Sequence, residues 1–143
     1  MYAGLVVSRR KRDADAKSWL GATQPTGTLI IVLFVPSKDR DGRDIDHGFW
    51  VNKALETLGT LFRGATAYPR GRGVWRDDER GGELRYEEPM IITCYADPAA
   101  MTDPACSRLR AFLHRLGREA NQGEVGIVIG DRYYGITKFD EPV

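Results

Sequence analysis

Five arginines and three aromatic residues fall within residues 64–88, GATAYPRGRGVWRDDERGGELRYEE, beside a cluster of acids. Tyr68, Arg70 and Arg72 occupy alternating positions, and Trp75 and Arg76 follow. These residue types suit recognition. Guanidinium groups hold phosphate or carboxylate through paired, charge-assisted hydrogen bonds, and an indole or phenol ring stacks on a base or another ring. Gly71 and Gly73 let backbone amides come close to a ligand. They are not a dinucleotide fingerprint, because the third glycine is missing and no helix is expected after them. The segment is read as a binding site for a small anionic or aromatic ligand, made by Tyr68, Arg70, Arg72, Trp75 and Arg76. The competing reading is an edge strand whose Trp75 packs on a helix or on a second copy of the chain.

Other side chains carry weaker signals. Asp77, Asp78 and Glu79 lie at an expected turn, with Glu83, Glu87 and Glu88 beyond. Paired carboxylates can hold Mg²⁺ or share a proton. Asp also favours turns for local reasons, so neither metal nor cofactor is expected, and Asp77 and Asp78 are the candidates if a metal binds. The string DRDGRDIDH places Asp39, Asp41, Asp44 and Asp46 ahead of His47. Counted from Asp39, Asp44 and Trp50 stand where a calcium loop needs Gly and Glu, so that match fails. Glu119, Gln122 and Glu124 cluster where a helix meets a strand. Either acid can act as a general base with Gln122 orienting a substrate, or the group simply ends the helix. His114, opposite an apolar stripe, is expected to be exposed and is the remaining catalytic candidate. No Ser or Cys carries a nucleophile signature, and no Cys/His cluster fits zinc. These residues leave open whether the chain is an enzyme.

The chain has 143 residues, 42% hydrophobic and 29% charged, which fits one soluble domain. A net charge of +1 creates no field that draws it to nucleic acid or membrane. The longest apolar run, residues 29–35, is far too short to span a bilayer. Cys94 and Cys106 fit reduced thiols, hence a cytoplasmic setting. The N-terminal charges follow a short apolar run, unlike a secretory signal. A nucleic-acid footprint is the alternative partner reading. It would combine Arg9, Arg10, Lys11 and Arg12 with Arg108, Arg115 and Arg118. A third reading is an interaction subunit without a ligand.

The elements that must position these groups follow from periodicity. Residues 1–27 read as a tail or an added edge element, with a short strand at 5–7 and a break at Pro25, Thr26 and Gly27. A single domain spans 28–143. Residues 28–35 read as a central strand buried on both faces. Val51, Leu55, Leu58 and Phe62 then define a helical face, capped by Asp46 and ended by a left-handed Gly64. Strands are expected at 65–75, 83–95, 124–129 and 132–136. A second helix, opened by Asp103 and Pro104, buries Leu109, Phe112, Leu113 and Leu116. This order, β-α-β-β-α-β with a terminal hairpin, is the α+β ferredoxin-like (split βαβ) plan: an antiparallel sheet with both helices on one face. The opposite face is too apolar for water, so the N-terminal segment, the C-terminal hairpin or a second copy of the chain must cover it, and a homodimer is the preferred expectation.

The stretch GRGVWRDDERGGELRYEEPMIITCYAD, with Gly71, Gly73, Trp75 and Arg76 as its pattern, resembles small uncharacterised bacterial proteins with a ferredoxin-like or dimeric α/β-barrel plan. The resemblance covers residues 28–136. It implies the fold and carries no activity.

Overall fold

Good helix formers, Ala, Lys and Arg, dominate residues 9–20, and this segment forms α1 (Arg9–Leu20) where a tail or edge element was expected. Trp19 and Leu20 at its end are exposed. The computed structural model describes residues 9–23 and 27–142. The strand expected at 5–7 and the break at Pro25 and Thr26 lie outside them.

The β-branched run forms β1 (Leu29–Val35), and Pro36, which has no N–H to continue a ladder, ends it. The next helix, α2 (His47–Phe62), starts where the Asp46 carboxylate accepts the Phe49 N–H at 3.1 Å. Asp46→Ala should cost about 1 kcal/mol, read as a lower urea midpoint with an unchanged slope. The helix buries Trp50, Val51, Ala54, Leu58 and Phe62. Its left-handed end residue is Arg63 (φ 77°) rather than Gly64. Phe62 is the last side chain owed to the core, so the chain must turn immediately after it.

The expected strands at 65–75 and 83–95 each divide in two. β2 (Thr66–Tyr68) stops at Pro69, β3 (Gly73–Asp77) and β4 (Glu83–Glu87) form a hairpin of their own, and β5 (Met90–Ala96) resumes after Pro89. Both breaks have one cause: proline donates nothing to a ladder. The hairpin turns through Gly81 and Gly82 at φ 71° and 80°. α3 (Asp103–Glu119) is capped by Thr102, whose hydroxyl accepts the Ala105 N–H at 3.3 Å, so the cap lies one residue before the expected Asp103. β6 (Val125–Ile129) and β7 (Arg132–Ile136) close the chain as a hairpin.

The main sheet runs β2-β5-β1-β6-β7 with every neighbouring pair antiparallel. Ile31, Leu33 and Val35 of β1, Ile92 and Cys94 of β5, and Val125 and Ile127 of β6 face α2 and α3, which supply Leu58, Phe62, Leu109 and Leu116 to the same core. Ile30, Val32 and Phe34 alternate onto the opposite face, beside exposed Tyr68, Tyr95 and Tyr133. No element of the described residues packs extensively on that face. No helix among them is long and apolar enough to cross a membrane.

Candidate functional site

Two chain breaks create a cleft. After Pro36 the chain runs through the polar loop 37–46, and after Pro69 it leaves the sheet toward the β3–β4 hairpin. Gly71 donates its N–H to the Pro89 carbonyl at 2.9 Å, which ties the two legs of the hairpin together at its base. A cleft of about 540 Å³ lies between that base and the loop, within the size range of small-molecule sites. Arg70, Arg72, Tyr86 and Glu87 line it from the hairpin side, and Lys38 and His47 from the loop side.

Glu87 is the central group. It stands opposite Gly73 in the hairpin ladder, so no side chain shields it from across the strand pair. The Ser37 N–H donates to its Oε1 at 3.0 Å, and the Lys38 backbone also bonds to it. Burial pushes its carboxyl above the ordinary value of 4.5, against the opposing pull of those two amides and of His47. Such a carboxylate can accept a proton or face a cation. Around it the charges are mixed. Lys38 pairs with Asp44 at 2.7 Å, and Arg70 lies 3.7 Å from Glu88. Arg72 makes no ion pair among the described residues and is free to meet an anion. His47 is fixed by its Nε2 contact to the Val35 carbonyl at 2.9 Å.

Of the five residues expected to bind a ligand, the structure brings Arg70 and Arg72 to the cleft. Tyr68 is on the edge strand β2, paired with Ile91 on the open sheet face. Trp75 and Arg76 lie farther out on β3, and Trp75 is 51% exposed. Arg76 is engaged with Asp78. Asp77 is buried against Arg85 at 3.4 Å and Arg80 at 3.7 Å, so it answers arginines. No group of three or more metal-ligating side chains occurs among the described residues. In the acidic loop, Asp39 accepts the backbone N–H groups of Asp41 and Arg43 at 2.8 and 3.0 Å.

The catalytic candidates are scattered. His114 is 6% exposed, contrary to expectation. The C-terminal segment folds back over α3, so that Phe139 stacks edge-on to the imidazole and the Asp140 N–H donates to Nδ1 at 2.7 Å. Glu119 pairs with Arg115 at 2.6 Å on the surface. Gln122 is 5% exposed and donates to the Lys38 carbonyl at 3.1 Å. Glu124 is exposed and accepts the Tyr133 hydroxyl at 2.9 Å. Tyr133 lies flat over Gly126, where any side chain would strike its hydroxyl. Burial, with Glu124 adding to it, pushes the Tyr133 hydroxyl up to about 12. Tyrosinate absorbance should therefore show one ring ionising well above pH 10, and Glu124→Gln should bring that ring down.

Of the basic footprint, two arginines of α3 are engaged, while Arg108 is exposed. Arg115 stacks over the Trp50 ring at 5.4 Å while pairing with Glu119, and Arg118 donates to the Asp140 carbonyl. What the sequence reading missed is the rank of Glu87 among its neighbours. Glu83, Glu87 and Glu88 look alike in sequence, and the contact that singles out Glu87 comes from 50 residues away.

No family model matches the chain, and no curated protein does. Among solved structures, a phage SAM lyase in complex with S-methyl-5'-thioadenosine aligns with a TM-score of 0.59. The match is at 20% identity and covers 80% of this chain and 92% of that one. A phage SAM lyase in the apo state aligns with a TM-score of 0.54 at 18% identity, covering 81% and 94%. At these identities the likeness concerns the fold, an α+β domain with an antiparallel sheet.

Proposed function

We propose that this chain is a cytoplasmic ligand-binding protein that takes a small adenosine thioether or sulfonium, of the S-methyl-5'-thioadenosine and SAM class, in the cleft around Glu87. The observation that carries the reading is the half-buried Glu87 carboxylate, held by backbone amides in the lining of a cleft of small-molecule size. Such a carboxylate suits a sulfonium or ammonium group. Arg72 suits the carboxylate of an amino-acid tail, and the exposed Tyr86 ring suits an adenine. The ligand bound by the phage lyase supports this choice, because the alignment spans most of both chains. The strand order β2-β5-β1-β6, with a crossover helix on either side of the β2–β5 leg, supports reading the core as the ferredoxin-like plan. The open sheet face with Tyr68, Tyr95 and Tyr133 supports a homodimer.

Calorimetric titration with S-methyl-5'-thioadenosine and with SAM tests the ligand. Saturable binding of either, with amide shifts at Arg72, Tyr86 and Glu87, is the expected result; no saturable heat with both sinks the reading. Chromatography of the SAM titration separates a binder, which returns SAM intact, from a lyase, which consumes it. Light scattering after size exclusion tests the homodimer, and a monomer at micromolar concentration removes it.

A further inference from the structure

We propose that Gln122 is a positioning residue of the cleft: from the far end of α3 it holds loop 37–46 so that the loop's amides meet the Glu87 carboxylate. Gln122 is a buried polar side chain, and both protons of its amide are used. One goes to the Lys38 carbonyl at 3.1 Å and the other to the Ala120 carbonyl at 2.9 Å. Lys38 is the residue whose own backbone, with the Ser37 N–H, bonds to Glu87. Gln122 thus acts one residue away from the contact that defines the site.

The rest of the turn repeats the same attachment. The Gln122 carbonyl accepts Arg40 Nη2 at 3.0 Å, and the Asn121 carbonyl accepts the Arg40 N–H at 2.9 Å. Asn121 adopts the left-handed region (φ 49°) and reaches Asp41 at 2.9 Å and Asp39 at 3.3 Å through Nδ2. Inside the loop, Ile45 N–H donates to the Ser37 carbonyl at 3.1 Å, which closes the loop upon its own start. The run of aspartates is therefore occupied: Asp39 and Asp46 hold backbone amides, Asp39 and Asp41 meet Asn121, and Asp44 pairs with Lys38. A hydrophobic side chain at 122 could fill the same space but would leave the Lys38 carbonyl without that partner.

A mere helix-end role is the competing account, and the Glu87 titration separates the two. The proposal rests on the cleft being the functional site, yet its test needs no ligand, so a failed ligand titration leaves it standing, and the reverse also holds. The charged and titratable groups around Glu87 are His47, Lys38 and Asp44 from the loop and α2, and Arg70, Arg72 and Glu88 from the hairpin. Gln122→Met replaces none of these groups, so the change it brings to Glu87 comes through the loop's position. Side-chain carboxyl NMR on the full chain should show the Glu87 midpoint moving further upward in Q122M, with the Ser37 and Lys38 amide signals shifting together. Leu116→Ala, which loosens the core without touching the loop, should leave that midpoint where it is. An unmoved midpoint in Q122M, or an equal movement in L116A, overturns the proposal. Should Q122M not fold, Arg40→Ala removes the loop's anchor on the Gln122 carbonyl from the exposed side. An upward movement there supports the proposal, and none overturns it.

Discussion

Glu87→Gln is expected to weaken binding of the cleft's ligand by roughly tenfold or more, because a charge-assisted contact is worth about 1.5–3 kcal/mol. The same substitution should make the protein more stable at neutral pH. Burial raises the Glu87 carboxyl above 4.5, so the folded state binds that proton more tightly than the unfolded chain. Stability from this group is fully present below the unfolded value and is lost as pH rises through the folded one. At neutral pH the ionised carboxylate is therefore a standing cost of the native state, and an amide of the same shape does not bear it. Thermal melts of wild type and Glu87→Gln across pH 4 to 8 check the sign. The variant's advantage should grow as pH rises above 4.5 and level off once Glu87 is fully ionised. A variant that is less stable at every pH would show that the carboxylate is structural, not a site held at a cost.

The second large effect is expected at Gly117→Val. Gly117 is buried on α3, and a Cβ there would fall within the Phe139 ring. No rotamer of valine avoids it, so Phe139 must leave. With it go the Asp140 N–H bond to His114 and the two-pronged Arg110–Asp140 pair at 2.7 and 2.9 Å. Overpacking and the lost ring burial together should cost about 2–3 kcal/mol. Urea unfolding gives the loss, and limited proteolysis should cut residues 137–143 in the variant while sparing the wild type. Wild-type stability with an intact C-terminal segment would refute the account. The Asp140 carboxyl, held low chiefly by Arg110, should return toward its ordinary range in the variant.

The fold was largely readable because local rules decided most of it. The β-branched run at 29–35, the Val51-Leu58-Phe62 face, the Leu109-Phe112-Leu113-Leu116 stripe and the terminal hairpin all appear where periodicity and turn chemistry put them. Cap positions moved by one residue, since Thr102 and Asp103 are both adequate caps by type and only the Ala105 N–H direction chooses between them. The splitting of the expected strands at Pro69 and Pro89 had its signal in the sequence, the prolines themselves. What those prolines separate, a sheet edge from a projecting hairpin, is a matter of long-range pairing.

The amino-acid sequence by itself determined the class of fold, the apolar faces and the place of the Arg-rich segment. All of these depend on residue type and on spacing within a single element. Tertiary structure alone decided which side chains share a site. It took Arg70 and Arg72 into the cleft and left Trp75 and Arg76 outside, because a two-residue step past Gly73 carries the strand away from the loop. It buried His114, because Phe139 arrives from the end of the chain. It singled out Glu87 from its neighbouring acids, because the amides that hold it come from loop 37–46, and that loop is held in turn by Gln122 from more than 80 residues away. Contacts at that separation are set by how packed elements meet, which no local pattern encodes.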